Sequence, residues 1–205
     1  MNYQSFISNS LQESYETFHS LQQNKELQEQ IKKAGELIIE SYKNGGRLFV
    51  AGNGGSAADA QHIAAEMVGK LAQDRTPLPA FAMTVDTSLL TAIGNDYGYN
   101  DIFSRQVEGL MGPQDVFWGI TTSGNSPNLV EAYQMCRNKN VKSILLTGPS
   151  GGLIKKQELA DVVIQAPGAH TARIQECHIA IYHCLCFLTE KSLVESGHIQ
   201  YRNKK

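Results

Sequence analysis

Nothing in the charge of this chain is lopsided: 18 Lys and Arg against 20 Asp and Glu leave a formal charge of -2 over 205 residues. That balance argues against a broad nucleic-acid surface or an electrostatic membrane anchor, so an anionic ligand would need local binding groups. No apolar run approaches bilayer length. The opening MNYQSFISNSLQESYETFHS lacks the basic start and apolar core of a secretory signal, and the expected location is the cytoplasm. Four cysteines (Cys136, Cys177, Cys184 and Cys186) form neither a CxxC pair nor a zinc-finger spacing, and are expected as reduced core residues. GxGxxG and the P-loop are both missing, which disfavours nucleotide binding. Low-complexity tracts and fixed-period repeats are missing too, and the length suits one domain with one substantial core.

What is present is a recurring unit. Tyr3 to Asn44 carries helical periodicity, with Phe6, Leu11, Tyr15, Phe18 and Leu21 before a polar break at 22 to 25, and Ile31, Ala34, Leu37, Ile38 and Tyr42 after it. Gly45-Gly46 stops the pattern. RLFVA (47 to 51) then feeds GNGGS and a helix over Ala57 to Lys70. PAFAMTV (79 to 85), DVFWGITT (115 to 122), KSILLTG (142 to 148) and DVVIQAP (161 to 167) are each followed by a helical stretch, the last from about Thr171 to Glu195. Five strands buried on both faces and alternating with helices predict an α/β fold, a doubly wound five-stranded parallel sheet with right-handed crossovers. Residues 1–44 form a helical extension, 45–197 the core, and 198–205 a polar tail expected to fray.

In such a sheet, ligands bind beyond the carboxyl ends of the strands, where helix N-termini can receive an anion. Asn53-Gly54-Gly55-Ser56 follows the first strand; Thr121-Thr122-Ser123-Gly124-Asn125-Ser126 follows the third. Ser56 and Ser126 taken singly are most simply N-caps. Their clustering favours phosphate, since a helix needs one cap while a phosphate needs several donors.

Past the first loop, Asp59, His62 and Glu66 share one helix face, in a setting of small residues (Ala57, Ala58, Ala60, Ala64, Ala65). Such a stripe supplies metal ligands, a general base, or both; the bland alternative is a solvated i,i+4 pair. The late helix carries Gln175, Glu176, His178 and His183 among apolar residues. Gln175 lies within about 80° of both histidines, which are about 140° apart and cannot share a site. Spacing does not choose between them.

The strings AGNGGSAADAQHIAAE, TAIGNDYGYNDIFSRQV, TSGNSPN and RIQECHIAIYH, in this order between roughly Gly45 and Glu190, resemble the sugar isomerase (SIS) domain, and within it the phosphoheptose isomerases. The resemblance implies a homotetramer, its N-terminal helices used in oligomer packing, converting sedoheptulose 7-phosphate to D-glycero-D-manno-heptose 7-phosphate for the heptose of lipopolysaccharide or another surface glycan. It also implies a zinc site on His62, Glu66, Gln175 and His183. Asn53, Gly54, Gly55, Ser56, Asn95, Asp96 and Gln175 would meet substrate, with Thr121, Thr122, Ser123 and Ser126 on its phosphate. Glu66 would be the carbon base, also in contact with substrate, His183 the group moving protons at oxygen, and Asp59 an aid to ring opening. Three departures stand out: Lys70 and Ala172 where some members have Arg and Asp, and Thr121 where a Ser of the loop is usual.

A different class of reading is a catalytically silent SIS protein that binds a replication initiator; such members lack the acid that stands here as Glu66. Isomerases of hexose or pentose phosphates would share the same loops. A sugar-phosphate sensor fused to a helix-turn-helix is disfavoured by the lack of a basic patch and by the short stretch, only about forty residues, before the sheet.

Overall fold

Five runs rich in β-branched and aromatic residues pair side by side: β1 (Leu48–Gly52), β2 (Ala80–Ala82), β3 (Val116–Thr121), β4 (Lys142–Thr147) and β5 (Val162–Gln165). In the computed structural model, which describes residues 1–202, they form one all-parallel sheet in the order β2-β1-β3-β4-β5. β3 lies at the centre and is buried along its whole length. Alternate residues feed two cores. Leu48, Val50, Trp118, Ile144, Leu146 and Ile164 face one side; Phe49, Ala51, Phe117 and Leu145 face the other.

The first core is closed by α2 (Lys25–Lys43), α3 (Gly55–Val68) and α8 (Thr171–Glu195), which contribute Ile38, Ile63, Met67, Ile181 and Leu185. The second is closed by α4 (Thr87–Asp96), α5 (Ser104–Leu110), α6 (Pro127–Lys139) and α7 (Gly152–Lys156), through Ile93, Val107, Leu129, Tyr133 and Ile154. Gly119 leaves room for Tyr133, whose hydroxyl accepts from the Gly119 N–H at 3.1 Å.

The expected polar break separates α1 (Tyr3–Gln23) from α2: Asn24 ends the first helix, and its side chain accepts from the Leu27 N–H at 3.0 Å to start the second. α1 buries no residue of its own, and Phe6 (59%), Leu11 (66%) and Tyr15 (65%) remain exposed. No helix of the described residues is long and apolar enough to cross a membrane.

Four expectations are corrected. β2 is an edge strand, shorter than 79 to 85, with Phe81 half exposed rather than buried on both sides. A short helix, α5, and a 3₁₀ turn at Tyr99–Asp101 occupy a stretch where no element is expected from periodicity. Cys184 is exposed, because α8 turns that position away from the sheet; all four cysteines are free thiols. The tail is tied down as far as Arg202, whose N–H donates to the Asp74 carbonyl at 2.8 Å, while the Thr76 N–H donates to Gln200 at 3.1 Å. The last three residues of the expected tail, 203–205, lie outside the described residues.

Candidate active site

The sheet order changes direction between β1 and β3, so the loops leaving these two strands flank a crevice at the carboxyl edge. After β1, Gly54 takes φ 56° and α3 begins at Gly55, two residues earlier than the periodicity indicates. Ser56 is therefore inside the first turn and buried, and no side chain caps the helix. The N-cap reading of Ser56 fails because the glycines start the helix ahead of it. Gly52 is needed for close packing, since a Cβ there would lie 2.6 Å from the Ser56 carbonyl.

The loop after β3 gathers hydroxyls. Ser126 occupies the N-cap position of α6 but makes no capping bond; its Oγ lies 3.1 Å from Thr121 Oγ1 instead. Ser123 Oγ is 3.4 Å from the same threonine oxygen and accepts from the Asn125 N–H at 3.2 Å. The Thr122 carbonyl accepts from the Gly148 N–H at 3.1 Å, which binds the loop to the end of β4. A hydroxyl that leaves its own helix uncapped and joins a cluster can turn its donor to an external acceptor.

Two residues outside the expected set join the loops. Asn53 and Asn128 exchange amide hydrogen bonds at 3.0 and 2.9 Å, and the Tyr99 hydroxyl donates to Asn53 Oδ1 at 3.1 Å. Asn128 is buried in the first turn of α6 and Tyr99 lies in the 3₁₀ turn, and neither carries a signal in the sequence. Asn95 and Asp96 bond each other at 2.8 Å on the exposed end of α4, and the structure does not bring them to the other site residues of this chain. Lys70 and Ala172 are exposed.

On α3 and α8 the chemistry-bearing side chains converge. His62 Nε2 lies 2.9 Å from Glu66 Oε1, and the His183 ring sits 5.1 Å from that of His62. One ligand atom from each of His62, Glu66 and His183 falls within 4.8 Å of the others, an arrangement able to hold a metal ion. Glu66 Oε2 is buried with no partner. Tyr182 places its hydroxyl 2.8 Å from His62 Nδ1, and burial pushes that phenol up. Asp59, one turn earlier on α3, is buried with Oδ2 unpartnered; burial raises it to about 6, against the pull of His62. The Gln175 amide lies against Gly55 at the glycine loop, where a Cβ would come 2.5 Å from its Nε2. His178 is a core residue, lowered to about 4 by burial.

Comparison with known proteins fits this arrangement. A family model described as the SIS domain matches residues 13–148. The phosphoheptose isomerase of Sulfurimonas denitrificans is 44% identical over 192 residues, spanning 94% of this chain and 97% of that protein. That of Aneurinibacillus thermoaerophilus is 45% identical over 199 residues, spanning 97% and 96%. The chain belongs to the phosphoheptose isomerases. A solved phosphoheptose isomerase from Neisseria gonorrhoeae superimposes with a TM-score of 0.85 at 41% identity, over 93% of this chain and all of that one. The doubly wound sheet and its flanking helices are thus the architecture of a phosphoheptose isomerase.

Proposed function

We propose that this protein interconverts sedoheptulose 7-phosphate and D-glycero-D-manno-heptose 7-phosphate in the cytoplasm, supplying heptose for a surface glycan such as lipopolysaccharide. The observation that carries this reading is the meeting of His62, Glu66 and His183 on α3 and α8, supported by the cluster of hydroxyls after β3. The 7-phosphate sits on Thr121, Thr122, Ser123 and Ser126, and Asn53, Gly54, Gly55, Ser56 and Gln175 meet the sugar chain. Asn95 and Asp96, exposed on α4, remain candidates for substrate contact from that side.

The reaction moves one hydrogen between neighbouring carbons. Asp59, held partly protonated near neutrality by its burial, gives its proton to the ring oxygen and takes the one leaving the anomeric hydroxyl, which opens the sugar. Glu66 then takes the proton from C1, next to the C2 carbonyl, giving an enediol(ate). His183 carries the hydroxyl proton from O1 to O2, and the Glu66 acid returns its proton to C2. The aldose results, with atoms and charge conserved.

Two imidazoles and one carboxylate are the donors that a catalytic zinc takes while leaving a position open, and the unpartnered Glu66 Oε2 fits such a use. Zinc bound by His62, Glu66 and His183 would supply Lewis-acid polarisation of the substrate carbonyl. Gln175, beside the glycine loop, is the fourth donor of the proposed set and also a contact for the sugar. The carboxylate offers two oxygens, so binding through one leaves the other for the carbon acid.

A homotetramer is part of the same reading, supported by the uncovered apolar face of α1. No observation favours a silent binding module, and the acid that would be missing from one is present as Glu66.

The decisive assay is purified protein with sedoheptulose 7-phosphate, with and without chelator. Turnover that chelator abolishes and zinc restores is the expected result; no turnover under any metal condition would favour the binding module. A second expectation concerns Tyr182. With Nε2 of His62 on zinc, Nδ1–H would donate to the Tyr182 oxygen, 2.8 Å away, and an outer partner of this kind is worth about 10–100-fold in metal affinity. Tyr182→Phe should weaken zinc by that factor in a chelator competition, with the melting temperature little changed; an unaltered affinity would remove Tyr182 from the site.

A further inference from the structure

The connection from α3 to β2 sends an arginine into the interior. Arg75 is 2% exposed, and its Nε donates to Glu190 Oε2 at 2.9 Å. Nη1 donates to the Met67 carbonyl at 2.7 Å and the Thr76 carbonyl at 3.1 Å, and Nη2 to the Glu66 carbonyl at 2.8 Å. The carbonyls of Glu66 and Met67 belong to the last turn of α3, where intrahelical donors run out and a cation complements the helix dipole. Arg75 thus grips the backbone of the residue whose carboxylate faces His62.

Glu190 stands on α8, seven residues beyond His183. Seven residues turn a helix to within about 20° of two full turns and advance it about 10 Å, so His183 and Glu190 share a face. One tie between α3 and α8 is the His62–Glu66–His183 group; a second, two turns further along α8, is Arg75–Glu190. The C-terminal segment covers that second tie. Arg75 and Tyr201 face each other in an antiparallel bridge, and Ile199 is buried.

We propose that the Arg75–Glu190 ion pair, sealed by residues 199–202, is a positioning device that sets the spacing of Glu66 against His183. The inference rests on the roles given to those two residues above. It assigns a task to a tail whose composition offers none.

Arg75→Ala would leave Glu190 charged and alone in the interior and is a poor test, since misfolding would follow from that alone. Glu190→Gln and a chain ending at residue 198 are gentler. In both, the expected result is a folded protein with kcat about tenfold lower and zinc about tenfold weaker in chelator competition. KM for sedoheptulose 7-phosphate should stay within about twofold, because the phosphate loops hang on β1 and β3. Folded variants with unchanged kcat and zinc affinity overturn the proposal. So does loss of folding in both variants, or a fall in kcat that only tracks the folded fraction, since each assigns the pair to stability alone. Should the unaltered protein bind zinc but not turn over this sugar, the reaction is wrong and the zinc arm still decides the spacing. Should it neither bind zinc nor turn over, the spacing proposal falls with the reading beneath it.

Discussion

Glu66→Gln should lower kcat by about 10³-fold or more, while the protein remains folded and still binds sugar phosphate. The amide is nearly isosteric with the carboxylate and can keep a hydrogen bond to His62, now 2.9 Å from Glu66 Oε1. What it cannot do is accept a proton from carbon. The sharper measurement is therefore exchange: with the native protein in deuterium oxide, substrate recovered from partial turnover should carry deuterium at the reacting carbon, and with Glu66→Gln it should carry none. Exchange surviving in the variant would take the carbon-acid step away from Glu66, whatever became of turnover. The buried, unpartnered Oε2 makes the expectation specific, because that oxygen has no structural hydrogen bond to lose.

The second large effect is expected at Gly124. Its φ is 68°, and a Cβ added there would lie 2.1 Å from the Gly151 carbonyl oxygen and 2.9 Å from Gly152 Cα. Backbone lies on the far side of both clashes, so no rotamer relieves them. The bracing is mutual: the Ile154 N–H donates to the Gly124 carbonyl at 3.1 Å, and the Leu153 N–H to Asn125 Oδ1 at 2.8 Å. Strain in the left-handed region combined with overpacking costs about 3 kcal/mol. Ser123 and Asn125 are exposed on either side of the glycine, so the loop can yield without the core. Spent there, that energy weakens phosphate binding about 100-fold. Gly124→Ala should raise KM by about that factor and weaken inorganic phosphate as a competitive inhibitor in parallel. An unchanged KM alongside a lower melting temperature would show the cost carried by the fold, and the loop would then not be the phosphate seat.

The fold was legible where the pattern is redundant. β1, β3, β4 and β5 each present a run of large apolar residues bounded by a glycine or polar turn, and α8 matches its expected span of Thr171 to Glu195. β2 was overextended because an edge strand need bury only part of its length, and Phe81 looks no different in sequence from a buried phenylalanine. α5 escaped notice because seven residues contain too few turns to show a period. The tail was misjudged because its pairing with Asp74 to Thr76 is made by backbone, which side-chain composition does not record.

At the site, helical spacing put Asp59, His62 and Glu66 on one face, but it left His178 and His183 undecided. The family resemblance points to His183, and the packing of α8 on α3 gives the physical reason, burying one histidine and presenting the other to His62. Asn128 and Tyr99 were invisible for the opposite reason. Their partner, Asn53, is distant in sequence, and an amide that bonds another amide carries no mark of its own.

That amide pair has a property the acid–base groups lack. Asn53 and Asn128 give each other one donor and one acceptor, face to face, and neither side chain titrates. Whatever protons the histidines and carboxylates nearby exchange, the clasp between the glycine loop and the hydroxyl loop has none to gain or lose. The pair that holds the two loops together is electrically neutral, and so indifferent to the protonation of the groups around it.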